Sequence, residues 1–346
     1  MTDDWLGAGA FPGAPAAPFG AGAGPVSSAP AVLVTVAACK GSAPREPGAK
    51  MLVRAGDFDG TIGGGHLEHR ALEIARTMLQ LGEARRFERF ALGPSLGQCC
   101  GGVAWLAFER AAPEQIDLLR VRRQQDTWRL VALDGACEWT LLDDAGRRLA
   151  GAVGTPSFGQ APCTRVLEGE GGRRWLLDAV PAPRAHLVLF GAGHVGAAIV
   201  RALAPLPCRV TWVDARDDLF PSAIPANVRL EATDAPEALA ESAAPGTSFL
   251  VMTHSHALDL RLCHAILSRP SKDWFGLIGS GTKRSQFEAR LRERGVDAGR
   301  LAAMVCPVGL PGIAGKAPSV IAASVAAQLL TVWEAAHHFD LQPEFT

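Results

Sequence analysis

The chain has 346 residues, with Lys+Arg 34 against Asp+Glu 35, a net charge of −1 and 48% hydrophobic residues. That length suits two domains, and the balanced charge gives no field to gather nucleic acid or an anionic membrane surface. Eight cysteines in so long a chain make no disulfide scaffold. No apolar run reaches the length of a membrane span, and the Met-Thr-Asp-Asp start lacks a signal peptide's basic and leucine-rich regions. A reducing cytoplasm is the expected compartment.

Residues 1–29 are mostly Gly, Ala and Pro. Such a segment buries too little apolar surface to offset its ordering entropy, so a disordered tail is expected, with Trp5 and Phe11 as sticky exceptions. A first domain is expected over 30–180. Ala31–Ala38 and Ala49–Arg54 read as strands, with Cys39–Gly48 a loop punctuated by Gly41, Ser42, Pro44 and Pro47. Asp57–Gly60 reads as a turn. Gly63-Gly64-Gly65-His66 then opens a helix whose stripe is Leu67, Ala71, Ile74, Ala75 and Met78, stopped by Gly82. Three glycines at a helix start suit an anion, since free N–H groups and the dipole converge there; a close-packed turn is the plainer alternative. His66, His69 and Glu73 share one helix face at metal-ligand spacing, although such a face is more often simply solvated.

Leu96-Gly97-Gln98-Cys99-Cys100-Gly101-Gly102 sets two adjacent thiols among glycines, ahead of a strand beginning at Val103. Glycine lets another molecule approach the backbone closely, and a thiolate there suits a soft metal or sulfur chemistry. The alternative is a pair of small buried residues at a strand entrance. Gln115–Arg123 reads as a helix. Trp128–Leu133, Glu138–Leu142 and Trp175–Asp178 read as strands completing the first domain's sheet, which is expected to be mixed. Pro181-Ala182-Pro183 reads as a stiff linker spanning 181–184.

A second domain is expected over 185–336. His186–Phe190 is a buried strand, Gly191-Ala192-Gly193-His194-Val195-Gly196 completes GxGxxG, a helix follows, and strand Arg209–Val213 ends at Asp214. Strand, glycine loop, helix, strand and terminal acid form the dinucleotide-binding arrangement of a doubly wound Rossmann-like sheet. Asp214 would accept from a ribose 2′-hydroxyl. Whether NAD, another nucleotide or nothing binds there is left open, because a fold can host unrelated functions. Thr253-His254-Ser255-His256 ends the strand Ser248–Met252, with Asp259 just beyond. These side chains suit phosphate contact, or a metal hydrolase built on His254, His256 and Asp259. Gly279-Ser280-Gly281-Thr282-Lys283-Arg284 opens a further helix with two cations suited to an anion. A fixed Gly- and Pro-rich loop, Cys306–Pro318, leads to a long apolar last helix, Ser319–Ala335, able to line a dimer seam.

These pieces together resemble the xanthine dehydrogenase accessory proteins of the XdhC/CoxI type. The matching stretches are Gly60–Glu68, Leu92–Gly102, Gly191–Gly196, Thr253–Asp259, Ile278–Ser280 with Thr282–Arg284, and Gly309–Gly312 through Gly315-Lys316. The tail before residue 30 lies outside the resemblance, and Ala317 replaces an acid of the pattern. The resemblance implies an accessory protein that is not itself an enzyme. It would bind molybdenum cofactor (molybdopterin) while a cysteine desulfurase replaces an oxo ligand with sulfur, then insert it into xanthine dehydrogenase. The family's cofactor-binding cysteine maps to Cys99 or Cys100, with Gln98, Gly101, Gly102, Gly63, Gly64, Gly65 and His66 around it. A homodimer is expected, without nucleic acid or membrane. The competing expectation is a NAD-dependent oxidoreductase on the Rossmann domain.

Overall fold

Side chains alternate across β1 (Ala31–Lys40), and that alternation organises the first unit. Val32, Val34 and Val36 face one core, while Leu33 faces another. The computed structural model describes residues 5–6, 30–93, 101–152 and 163–340, and divides into units Met1–Pro183 and Arg184–Thr346. In the first unit β1 is followed by β2 (Lys50–Val53), β3 (Phe58–Gly60), α1 (Gly65–Leu81), β4 (Arg85–Ala91), β5 (Val103–Ala111) and α2 (Pro113–Val121). Then come β6 (Thr127–Ala132), β7 (Trp139–Asp143), β8 (Arg148–Gly151), β9 (Arg165–Glu168) and β10 (Arg174–Val180). The first sheet runs β3-β2-β1-β5-β4 and the second β8-β7-β6-β10-β9.

Two expectations change here. The strands after α2 do not complete the first sheet; they pair only among themselves, and every pairing in the unit is antiparallel. The edges of the first sheet are taken by β3, within the Asp57–Gly60 stretch that reads as a turn, and by β4, which carries no apolar signature in the sequence. The Arg-Arg-Phe-Glu-Arg-Phe of β4 is mostly charged, which suits an exposed edge and hides it from a search for apolar runs. The helix α1 follows its sequence stripe: Leu67, Ala71, Ile74, Ala75 and Met78 are buried against the outer face of the sheet, and Gly82 ends it in the left-handed conformation.

The other face of the first sheet packs on the second sheet through Leu33, Leu52, Leu141 and Leu176. Trp5 and Leu6 are buried there too, and Arg120 Nε donates to the Leu6 carbonyl at 3.0 Å. The other residues of 1–29, Phe11 included, lie outside the described residues. Between the sheets stands a buried ion network. Asp178 accepts from Lys50 at 2.7 Å and from Arg129 at 2.5 Å, and Arg129 also pairs with Glu109. Lys50 and Glu109 come from the first sheet, Arg129 and Asp178 from the second, so matched charges set one register of sheet on sheet. Removing one partner of such a group leaves an uncompensated buried charge, at a cost of about 3–5 kcal/mol.

The second unit holds β11 (Ala185–Phe190), α3 (His194–Leu203), β12 (Cys208–Asp214), β13 (Val228–Ala232), α4 (Pro236–Ser242), β14 (Ser248–Val251) and α5 (His256–Leu267). It continues with β15 (Phe275–Leu277), α6 (Gly281–Glu293), α7 (Ala298–Ala303) and α8 (Pro318–Asp340). The sheet is parallel, in order β13-β12-β11-β14-β15. Leu187 and Leu189 face a core with α3 and α8, and Val188 and Phe190 face one with α5 and α6, so the sheet is covered on both sides as a doubly wound fold requires. Strand order reverses at β11, which opens a crevice at its carboxyl end.

One further expectation is corrected. Pro318–Ala336 is, by length and composition, apolar enough to cross a membrane. Its alanines and serines dilute the pattern in the sequence. In the fold, Ala322, Val325, Leu329 and Trp333 of this helix join the core around α3, and Trp333 Nε1 donates to Ser248 Oγ at 3.0 Å.

Candidate functional site

The glycine turns lie at strand ends in both units. In the first unit three segments meet at one end of the first sheet. Lys40 of β1 pairs with Val103 of β5, and the loop after β1 is pressed against Gly102: a side chain there would overlap the carbonyls of Lys40 and Ser42. Gly63, at φ 115°, lies against Pro44 of the same loop. The space around Gly64 and Gly101, by contrast, is open, with no atom within 4 Å of where a Cβ would stand. Gly101 and Gly102 therefore sit at the same end of the sheet as Gly63, Gly64 and Gly65. Gln98, Cys99 and Cys100 lie outside the described residues.

The amides of the glycine turn are largely taken. Glu68, one turn into α1, reaches back so that its Oε2 accepts from Thr61 Oγ1 at 2.5 Å, Ile62 N at 3.0 Å and Gly64 N at 3.1 Å. Gly63 N donates to the Thr61 hydroxyl at 3.1 Å. An internal carboxylate thus stands where an anion was expected. His66 and His69 are exposed, their rings 6.4 Å apart, and His69 lies 3.4 Å from Glu73, which also pairs with Arg70. The Cys39 thiol, not singled out in the sequence, lies in the same region and donates to the Arg45 carbonyl at 3.4 Å. Burial, helped by the Glu46 charge, pushes its pKa up, so it stays a thiol at neutral pH. Its place at the head of the Gly- and Pro-rich loop was the available signal.

In the second unit a cavity of about 260 Å³ opens at the carboxyl ends of the parallel strands. Phe190, Val213, Pro236, Leu258 and Leu262 give its apolar walls; Asp214, Thr233, Asp234, Thr253, His254 and Arg261 bring polar groups to it. Two glycines of GxGxxG serve packing: a Cβ on Gly191 would overlap Met252, and one on Gly196 would overlap the Gly191 carbonyl. Only Gly193, just before His194 opens α3, faces open space.

Asp214 is buried and fully engaged. Its Oδ2 accepts from Ala192 N at 2.8 Å and Arg216 Nη2 at 3.0 Å; its Oδ1 accepts from Arg216 N at 3.1 Å and Arg216 Nε at 2.9 Å. Burial alone would raise its pKa, but the Arg216 and Ala192 hydrogen bonds outweigh it and hold the carboxyl down at about 2. The ribose acceptor expected here is already satisfied by the chain itself.

The arrangement of His254, His256 and Asp259 proposed for a metal hydrolase does not form. Asp259 is buried and turned inward, accepting from Thr253 N at 3.0 Å and Thr253 Oγ1 at 2.7 Å, and pairing with Lys283 at 2.6 Å. His254 and His256 are exposed, and His256 stands edge-on to Phe287. Among the described residues no group of three or more His, Cys, Asp or Glu could hold a metal ion. Lys283 also donates to the Ile278 carbonyl at 2.9 Å, while Arg284 pairs with Glu288 at 2.6 Å and donates to the Cys306 carbonyl at 3.2 Å. Both cations read as anion ligands thus hold α6 to its surroundings.

Comparison with known proteins agrees with this architecture. Residues 27–91 match the model of the XdhC and CoxI family, and residues 187–329 match the XdhC Rossmann domain. The uncharacterized protein YqeB of Escherichia coli (strain K12) is 27% identical over 305 residues, 88% of this chain; the chain spans only 43% of that relative's length. A crystal structure described as a xanthine dehydrogenase from Bacillus halodurans superposes with a TM-score of 0.65 at 19% identity, covering 89% of this chain and 93% of its own, a likeness of fold. With both domain models matched in order and the fold shared along most of the chain, the protein belongs to the XdhC/CoxI family.

Proposed function

We propose that the protein carries molybdenum cofactor for xanthine dehydrogenase: it holds the cofactor while a cysteine desulfurase exchanges oxygen for sulfur, then delivers it, without turnover of its own. The observation that supports this best is the meeting of the Gly63–Gly65 turn, the loop after β1 and the Gly101-Gly102 end of the Cys-Cys loop at one end of the first sheet. The bare backbone at Gly64 and Gly101 leaves room for a bulky guest. The guest, as cargo, is a pterin dithiolene with a phosphate and a soft metal. Cys99 or Cys100 would supply the thiolate, the role for which Cys39, held as a thiol, is unsuited. Because Glu68 already takes the amides of Ile62 and Gly64, the glycine triplet would give the guest space and not an amide cradle. The partners are xanthine dehydrogenase, the desulfurase and a second copy of the chain, in the cytoplasm.

The test is co-purification from a host that makes the cofactor, with molybdenum measured by elemental analysis and the pterin by fluorescence after oxidation. Wild-type protein should retain both, Cys99→Ala or Cys100→Ala should lower retention, and the double substitution should abolish it. Full retention by the double variant refutes the thiolate, and no retention by the wild type refutes the carrier.

A further inference from the structure

We propose that the cavity of the second unit binds a nucleoside diphosphate or dinucleotide whose adenosine ribose carries a free vicinal diol, and that Arg216 holds the diol's place on Asp214 until the ligand arrives. A cavity of about 260 Å³ is below the ~300–1,000 Å³ of drug-sized sites. It therefore suits the nucleoside part alone, with the phosphates over the open backbone of Gly193. Apolar walls from Phe190, Val213, Pro236, Leu258 and Leu262 suit the faces of a base, and Thr233 and Asp234 offer polar groups for its edge.

The ribose end is the distinctive part. A carboxylate has about four acceptor positions, and Arg216 and Ala192 fill all of those on Asp214. The Ala192 bond ties the carboxylate to the glycine loop and stays. The guanidinium is different: it gives Asp214 two N–H donors side by side, as the two hydroxyls of a ribose would, from a side chain 40% exposed. A ligand diol must therefore displace it. Asp218 already interacts with Arg216 and gives the released guanidinium an alternative partner. A phosphate on the 2′-hydroxyl would bring Asp214 no donor and would set its own charge against that buried carboxylate, so it would be disfavoured.

A side chain that blocks the site lowers apparent affinity by the fraction of time it is closed. Removing it should therefore tighten binding, the reverse of the usual loss on deleting an arginine. Titration calorimetry on the full chain with ADP, NAD⁺ and adenosine bisphosphate phosphorylated on the 2′- and 5′-hydroxyls gives the readout. ADP or NAD⁺ should bind wild type, and Arg216→Ala and Arg216→Gln should each bind about fivefold more tightly. The 2′-phosphorylated nucleotide should bind at least about tenfold more weakly than ADP to either form. ADP without NAD⁺, or both together, tells a nucleoside diphosphate from a dinucleotide site. Unchanged or weaker binding by both folded variants overturns the gate; equal or tighter binding of the 2′-phosphorylated nucleotide overturns the diol; no binding of any nucleotide overturns the site. None of these readouts involves molybdenum cofactor, so failure here leaves the carrier proposal standing.

Discussion

The two glycine turns each contain a carboxylate from the chain itself, and they use it differently. In the first unit one oxygen of Glu68 gathers two amides and a hydroxyl of its own turn, and so sits in the anion's place. In the second unit Asp214 stands behind the loop, holding a single loop amide and an arginine, and Gly193 stays open in front. The same motif type thus yields a turn closed by its own acid and a turn kept open by one. A glycine run at a helix start identifies the shape of the backbone; only the acid's position tells whether the donors remain for a ligand.

The largest effects should come from the glycines that make both turns possible. Gly63 (φ 115°) and Gly191 (φ 123°) combine left-handed backbone with a Cβ that would overlap Pro44 and Met252 respectively. Alanine at either should cost about 3 kcal/mol from strain plus overpacking. Gly64 (φ 72°, ψ −169°) has open space but sits in a backbone region essentially confined to glycine, so alanine there should cost only that strain, about 2 kcal/mol. Gly193→Ala has neither penalty and should stay within about 0.5 kcal/mol. Chemical denaturation of the four variants checks the order, and a Gly191→Ala protein as stable as Gly193→Ala would break the packing half of the comparison.

The acids come next. Glu68→Ala strips the acceptor from the Ile62 and Gly64 amides and the Thr61 hydroxyl at a half-exposed site where water can replace it, for about 1 kcal/mol. Asp214→Ala leaves the buried Ala192 amide and the Arg216 guanidinium unpaired, for about 2–3 kcal/mol. The sharper readout is structural: hydrogen exchange at Ile62 and Gly64 should speed up in the first variant, and at Ala192 in the second. If Glu68→Ala leaves exchange at its turn unchanged, the turn is not held by its acid.

What the sequence made legible follows from how local each signal is. The α1 stripe and the Gly82 stop are written in one run of residues, as are the strands of the parallel sheet, whose unbroken apolar runs reflect burial on both faces. The meeting of Gly102 with Ser42 and of Gly63 with Pro44 is not local, and neither is the second sheet, since pairing partners are not spelled out in a strand's own residues. Charges misled most. Lys50 and Arg129 look like surface residues and form the buried bridge between sheets; Lys283 looks like an anion ligand and is committed to Asp259. A cation's partner decides its role, and the partner lies far along the chain.

Acid should also separate the units. Asp214 is held at about 2, below the ordinary 3.8, so the folded form binds a proton less readily than the unfolded chain. Its contribution is complete above about pH 4 and disappears as pH falls through about 2. His186 gives the second unit an earlier window. Burial, then the Arg209 charge, lowers its pKa to about 4 from 6.5, while its Nε2 lies 2.9 Å from Thr211 Oγ1. Between those values the unfolded state takes up a proton that the folded state refuses, so stability declines from about pH 6.5 to 4 and then levels off for this group. Scanning calorimetry across that range should show the second unit's transition moving down first. His186→Gln should flatten the upper window and leave the lower one, which belongs to Asp214. A variant that keeps the full decline between pH 6.5 and 4 would assign it to some other group and remove His186 from the account.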